Sequence, residues 1–392
     1  LTRKIKILDL KRYLPAIILV AVFLVVVVNT QLVYYHSAFR PWAFYVKSLL
    51  LASFFVLTFR KEIKTYLWII LLGICFLIGQ FSLVQFEIDA LKNLGMFIKY
   101  IYIFILFFGF KKLAKEDSLA SMFLALKFIF LFVFASIILG FIFDIPEFRT
   151  YGSNRFGYGG VLSKPSVTTY FLIMAFLFFE IFKKKFKYSY VYLLLCVLCT
   201  LISGTKASLL FLVFFFVYKF LSKDFKLNRT QLIVGLVSMF SIIISVFVFM
   251  KSTLQNTYNV FYKLYENEGV ISALTSFRSR KFMEAVEIYS QEWSWLNYLF
   301  GGKTGYYLNV EFDFVDLFIF FGIVGSIIYL WLYYKIIFKF YLSQYSILII
   351  GLLTVSALSG QFFYNTNITL FFAPMSVLLI KWQKNPEILD QT

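Results

Sequence analysis

The chain has 392 residues, 61% hydrophobic and 15% charged, with a net charge of +18 and a mean hydropathy of +0.82. A soluble domain holds about 45–50% apolar and about 25% charged residues, so a wholly soluble fold is excluded. Nucleic-acid binding is disfavoured by placement, because Lys and Arg stand in short clusters between apolar stretches rather than on one polar face.

The composition predicts an all-α, polytopic membrane protein. A membrane helix takes about 20 apolar residues. Stretches of that kind centre on 14–34, 42–59, 66–83, 94–110, 119–143, 163–182, 188–204, 207–222, 230–250, 313–334, 345–360 and 366–382. Together they make twelve expected spans in a single membrane domain, 1–392. The first is long enough to stay as a span rather than be cleaved. "SGTKAS" (Ser203–Ser208) divides a longer apolar run, and Gly204 favours a turn there. Lys and Arg in alternate connections number 23 on one side and 12 on the other. The positive-inside rule therefore puts both termini in the cytoplasm. Two connections, 144–162 and 251–312, then face outward.

The first outer segment, "FDIPEFRTYGSNRFGYGGVLSKPS", is rich in Gly and Tyr and carries Arg149 and Arg155. The second holds "RKFMEAVEIYSQEWSWLNYLF", in which Phe282, Val286, Tyr289 and Trp293 recur at helical spacing. That spacing predicts an amphipathic helix on the outer interface. Arg149, Arg155, Lys206, Arg278, Arg280 and Lys281 come from three outer segments, and their convergence would build a cationic pocket. Arginine grips phosphate through a planar fork and needs no metal to do so. Solvated or headgroup-binding cations are the plainer alternative for each one singly. Glu311, Asp313 and Asp316 open the tenth apolar stretch, where an acid needs a partner or a job. At 100° per residue they fit one broad helix face, and a carboxylate lifted by burial suits a general base. "LFGGKTGYY" places Gly301, Gly302 and Gly305 in a turn able to approach a ligand.

Other polar residues read more plainly. Cys75, Cys196 and Cys199 lie within apolar runs and read as packing residues. His36 reads as interfacial, and Lys47 and Lys99 as snorkelling cations. Lys127 lies deeper and needs a carboxylate, a carbonyl or a cavity.

In this order the motifs resemble those of the bacterial O-antigen polymerase and O-antigen ligase family. The resemblance runs from the Arg-led helix "FRSRKFMEAVEIY" through "LFGGKTG" to Glu311, eleven residues before Gly322. "RFGYGGVLSKPSVTTYFLIM" is similar to the family's Arg-Gly segment. "SGTKASLLFLV" is similar to its Ser-x-[ST]-Arg hairpin, with Lys206 in the Arg place. Ligases of that family carry a His where this chain has Glu311, which favours a polymerase.

The resemblance implies a glycosyltransferase that polymerises undecaprenyl-diphosphate-linked repeat units of O-antigen, capsule or exopolysaccharide. Its place would be the outer face of the cytoplasmic membrane. Arg155, Arg278 and Arg280, with Lys206 and Arg149, would hold the diphosphate. Glu311, or Asp313 or Asp316 in its stead, would take the proton of a sugar hydroxyl. No metal, nucleotide sugar or other cofactor is implied. The implied partners are undecaprenyl-diphosphate-linked glycans, membrane lipids and a chain-length regulator, with no nucleic acid. A ligase moving finished glycan and a lipid-linked-glycan flippase are the alternatives.

Overall fold

The computed structural model describes residues 2–35, 40–83, 90–151, 155–222, 278–303, 309–340 and 342–386, with scattered positions between 255 and 276. Its regular elements there are helices, joined by one isolated antiparallel bridge, Arg149 to Tyr158. In chain order these are α1 Thr2–Tyr35, α2 Arg40–Thr58, α3 Ile63–Phe81, α4 Ala90–Leu113, α5 Glu116–Ile142, α6 Pro165–Ile181, α7 Ser189–Ser203 and α8 Lys206–Leu221. After them come α9 Arg278–Glu292, α10 Trp295–Phe300, α11 Asp313–Leu332, α12 Ser346–Ser359 and α13 Thr366–Lys384. The stretch expected at 230–250, together with His36 and Gly305, lies outside the described residues.

Five segments among the described residues are long and apolar enough to cross a membrane: Lys11–Val33, Ile63–Phe81, Lys92–Leu113, Glu116–Ile142 and Asp313–Phe340. Others are shorter than twelve equal spans would require. Pro165–Ile181 has 17 residues, about 25 Å at 1.5 Å per residue. It is the bundle's central helix, buried at every position from Val167 to Ile181. Helices around it bury one face only. In α5, Leu126, Ile129, Phe130, Val133 and Ile137 point inward, while Leu124, Phe128, Phe132, Leu139 and Ile142 are exposed. Apolar residues left uncovered on this scale suit a lipid-facing surface and not a watery one. Cys75, Cys196 and Cys199 are buried free thiols.

The most extensive helix pairs are α1–α5, α4–α13 and α8–α12, followed by α3–α11 and α6–α7. Glycine sets the approach in two of them. A Cβ on Gly351 of α12 would lie 2.8 Å from the Phe214 side chain of α8. Helix α11 is broken at Gly322 (φ 63°, ψ −168°). Gly301 (φ 76°) and Gly302 (φ 141°) pack into that break, and a side chain on Gly322 would collide with the backbone from Leu299 to Gly301. The break frees Ile319 O, which accepts from Gly302 N at 3.0 Å. Asn297 clamps the arrangement by donating to Gly79 O (2.8 Å) and Gly301 O (2.6 Å). Gly301 and Gly302 therefore serve a backbone crossing between α3, α10 and α11.

Helix α9 forms where an amphipathic helix is expected and buries only part of the expected face, Tyr289 and Trp293 turning inward and Phe282 and Val286 outward. Ala285 and Tyr289 pack with Val310 and Ile319, against Trp293, Phe312 and Val315. The small Ala285 lets the helix lie close on the start of α11, which turns its larger neighbours outward. Lys127 departs from expectation too. Among the described residues its ammonium sits 5.4 Å from the ring centres of Phe186 and Tyr192, a cation–π arrangement, rather than beside a carboxylate. Lys47 does not snorkel; it donates to Thr366 Oγ1 at 3.2 Å and to Asn367 Oδ1.

Candidate functional site

At one end of the bundle five segments line a cavity of about 880 Å³. Its cationic part is Arg155, Lys206 and Arg278, and Glu311 completes the charged wall. Two glycines explain why Arg155 meets Lys206. Gly157 (φ 147°) and Gly204 (φ 62°) cross backbone to backbone, so a side chain on either would strike the other strand of the crossing. Tyr158 N donates to Ile202 O at 3.0 Å and ties the loop to the α7–α8 hairpin. The Thr205 and Ser208 hydroxyls lie 2.5 Å apart, and Thr169 donates to Thr205 at 2.9 Å. That network fixes the turn and leaves Lys206 just outside the apolar run 207–222.

Arg155 rests on the Tyr151 ring, 3.8 Å from its centre, which fixes the guanidinium plane on the cavity wall. Partial burial, followed by the charges of Arg155 and Arg278, pulls the Lys206 ammonium down to about 8. Below the charged groups the wall turns apolar, with Leu209, Leu210 and Val213 of α8 facing Val355 and Leu358 of α12. Leu209, Val213 and Leu358 are also exposed on the outside of the bundle, so this flank continues into the apolar surface.

Glu311 does not sit on the helix with the two aspartates. Helix α11 begins at Asp313, and Glu311 precedes it with φ 67°, a left-handed backbone rare for a residue with a side chain. Two backbone bonds hold it there: Asp316 accepts from Val310 N (2.8 Å) and Glu311 N (3.0 Å). The Glu311 carboxylate accepts from Arg278 Nε at 3.3 Å and Lys281 Nζ at 2.8 Å, with its side chain 28% exposed. It is thus an ion-paired group at an open wall, where burial in a dry setting was the expectation.

Asp313 and Asp316 are buried and do not line the cavity. Asp313 accepts from Ser356 Oγ (2.6 Å) and Phe362 N (2.9 Å). Asp316, which needs a partner at this depth, finds it in the backbone of the loop before its own helix, accepting from Val310 N and Glu311 N. Arg149, expected in the pocket, is held elsewhere. Its Nε and Nη2 grip Asp144 at 3.1 and 2.7 Å, and the Tyr158 hydroxyl bonds the same carboxylate. Those bonds, Arg149's first, keep Asp144 below the usual carboxylate range. Arg280 points away from the cavity and pairs with Glu284 one helical turn on, at 3.4 Å on the exposed face. Lys303, beyond the glycine crossing, bonds Asn309 Oδ1, and burial holds its ammonium down at about 8 against the pull of Asp316.

Two polar residues with a clear place here escaped notice in the sequence. Gln361 and Ser166 line the cavity and join through Ser166 Oγ to Gln361 Oε1 at 2.7 Å. The signal available was the polar run "QFFYNTN" after an apolar helix. Compared with known proteins, the chain matches no family model, no curated protein and no solved structure.

Proposed function

We propose that the protein is a membrane glycosyltransferase that joins lipid-diphosphate-linked oligosaccharide units at the outer face of the membrane, with twelve spans and both termini cytoplasmic. One observation carries the proposal: a single cavity combines three cations, a carboxylate and an apolar flank. A lipid diphosphate has the same division, with an anionic head on a hydrocarbon chain. Arg155, Lys206 and Arg278 would take the diphosphate, and Leu209, Leu210 and Val213 the start of the lipid. The leaving diphosphate gains charge as the glycosidic bond breaks, so cations fixed beforehand lower the barrier.

Arg278 links the two halves of the chemistry, because it is also Glu311's partner. A diphosphate offers the guanidinium a stronger bidentate contact than one carboxylate oxygen at 3.3 Å. Donor binding would then draw Arg278 from Glu311, and the less neutralised carboxylate would accept the proton of the attacking sugar hydroxyl. The hydroxyl oxygen forms the new bond to the anomeric carbon, and the lipid diphosphate departs with the bonding electrons. Glu in this position supports polymerase over ligase activity.

Gel analysis of surface glycan from cells lacking the protein tests this. Single-repeat glycan is expected. Full-length polymer left on carrier lipid would replace the polymerase with a ligase, and an unchanged ladder would overturn both.

A further inference from the structure

Gln361 has an unusual setting that diphosphate binding does not call upon. It is one of five residues other than glycine with a positive φ among the described residues (φ 70°), and it lines the cavity as Glu311 does. The two are neighbours: the backbone of Gly360 lies so close to Glu311 that a side chain on Gly360 would collide with Glu311 O. Strain of this kind persists only where the surroundings enforce it. Here the enforcement is buried. Tyr170 Oη donates to Gly360 O at 2.9 Å on one side of Gln361. Phe362 N donates to Asp313 on the other, and the same carboxylate oxygen takes Ser356 Oγ. Asp313 thus fixes Gln361 as Asp316 fixes Glu311, from positions three residues apart on one helix.

In this structure the Ser166 hydroxyl donates to Gln361 Oε1, which turns Nε2 to the other side of the amide. Among the described residues nothing accepts from Nε2. The amide therefore offers two N–H donors on the wall that carries Glu311, with Ser166, Thr169 and Ser359 around it. Gln361, Ser166, Thr169 and Ser359 are themselves uncharged and hydroxyl-rich, and the one cation beside them, Arg278, is bonded to Glu311 and to Leu358 O, in contrast to the part at Arg155 and Lys206. Neutral donors beside one acceptor carboxylate suit an uncharged ligand bearing hydroxyl groups.

We infer that Gln361 contacts substrate, its amide holding a sugar hydroxyl of the acceptor beside Glu311, and that Asp313 is the positioning residue that fixes it there. The inference rests on the glycosyl-transfer reading and adds where the acceptor binds. A hydroxyl gripped by a donor at its oxygen and by Glu311 at its hydrogen is oriented for attack, and the contact acts on acceptor binding rather than on the diphosphate.

Three variants test it in the full-length protein: Gln361→Glu, Gln361→Asn and Asp313→Asn. Asparagine tolerates the left-handed backbone, and monodisperse elution in detergent checks folding in each case. The acceptor probe is an alkyl glycoside of the oligosaccharide repeat, and the anion probe is undecaprenyl diphosphate. Gln361→Glu should raise the KM and Kd for the alkyl glycoside at least tenfold, since it replaces donors with a second carboxylate beside Glu311. Gln361→Asn should raise them severalfold, and Asp313→Asn should follow Gln361→Glu. Undecaprenyl diphosphate affinity should stay within about twofold in all three. An alkyl-glycoside Kd within twofold of the parent in Gln361→Glu overturns the inference. Equal loss of both probes overturns it as well, because the residue would then act on the whole cavity. A parent that binds the alkyl glycoside yet transfers nothing would count against the transferase reading alone, while the binding comparison still decides Gln361.

Discussion

Helix α6 joins two carboxylate sites built from almost the same parts. At its far end Glu180 meets Lys183 at 3.4 Å, Lys219 in a close ion pair and the Tyr218 hydroxyl at 3.2 Å. Glu311, at the cavity near the start of α6, meets Arg278 and Lys281. Each is one acid between two cations. Yet Glu180 is 0% exposed within a regular helix, whereas Glu311 is 28% exposed on a left-handed backbone. The buried carboxylate is satisfied by Lys183, Lys219 and Tyr218, so it fastens α6 to α8. The open one is strained and borders a large cavity, so its partners can be exchanged. On the glycosyl-transfer proposal, burial and backbone strain are what separate the structural ion cluster from the reactive one; the residue types alone do not.

Exchanging the two acids for neutral groups sharpens this contrast most. Glu311→Gln should lower polymer formation by about 10²–10⁴, the range for losing a general base, with folded yield near the parent's and donor affinity at least as high, since Arg278 no longer has to leave a carboxylate. Glu180→Ala should do the reverse. It strands two lysines beside a buried site, for a loss of about 3 kcal/mol in stability, while each folded molecule keeps its rate. Thermal unfolding in detergent and turnover per folded molecule separate the two effects. Turnover within a few-fold of the parent for Glu311→Gln would remove it as the base.

A smaller effect is expected from the cations. Arg278→Lys keeps charge but loses the fork, so turnover should fall about ten- to a hundredfold, as for a lost charge-assisted bond of about 1.5–3 kcal/mol. Arg155→Lys should behave alike. Arg149→Lys and Arg280→Lys should change little, because their partners are Asp144 and Glu284 outside the cavity. If Arg149→Lys proved as damaging as Arg278→Lys in a diphosphate-binding assay, the cavity would be placed wrongly.

Much of the helical layout was legible because runs of Phe, Leu, Ile and Val announce it. The coming together of Arg155, Lys206, Arg278 and Glu311 was foreshadowed by cations standing where outer segments rarely keep them. What stayed hidden was set by partners distant in sequence or by backbone angles. Arg149 and Arg155 look alike in one loop, and only the bidentate grip of Asp144 separates them. A helical wheel put Glu311 with the aspartates, but its positive φ places it ahead of the helix. On α9 the spacing of large residues found Tyr289 and Trp293, but it concealed that Ala285 joins them in the buried cluster while Phe282 and Val286 face out. Glu180, a lone acid within "FLIMAFLFFEIF", did carry a legible signal, since a charge in such a run needs a partner.

The smallest effect concerns pH and divides the two sites again, because only the open one should titrate with its ligand. Lys206 titrates near 8 rather than 10.5, owing first to burial and then to Arg155 and Arg278. For a lysine whose pKa is lowered, the charged form is complete below that value and is lost as pH rises through it. A bound diphosphate supplies the opposite charge and raises the pKa again, so binding takes up a proton above pH 8. Donor affinity should therefore be flat from pH 6 to 7.5. Above pH 8 it should weaken by up to about tenfold per pH unit, until the pKa of the complex is reached. The probe is the single-repeat lipid diphosphate from cells lacking the protein. Lys206→Arg stays charged throughout, so its affinity should remain flat to pH 9.5. That variant also separates protein from substrate titration: a parent-like decline in Lys206→Arg would assign the pH effect to another group and take Lys206 out of the diphosphate site.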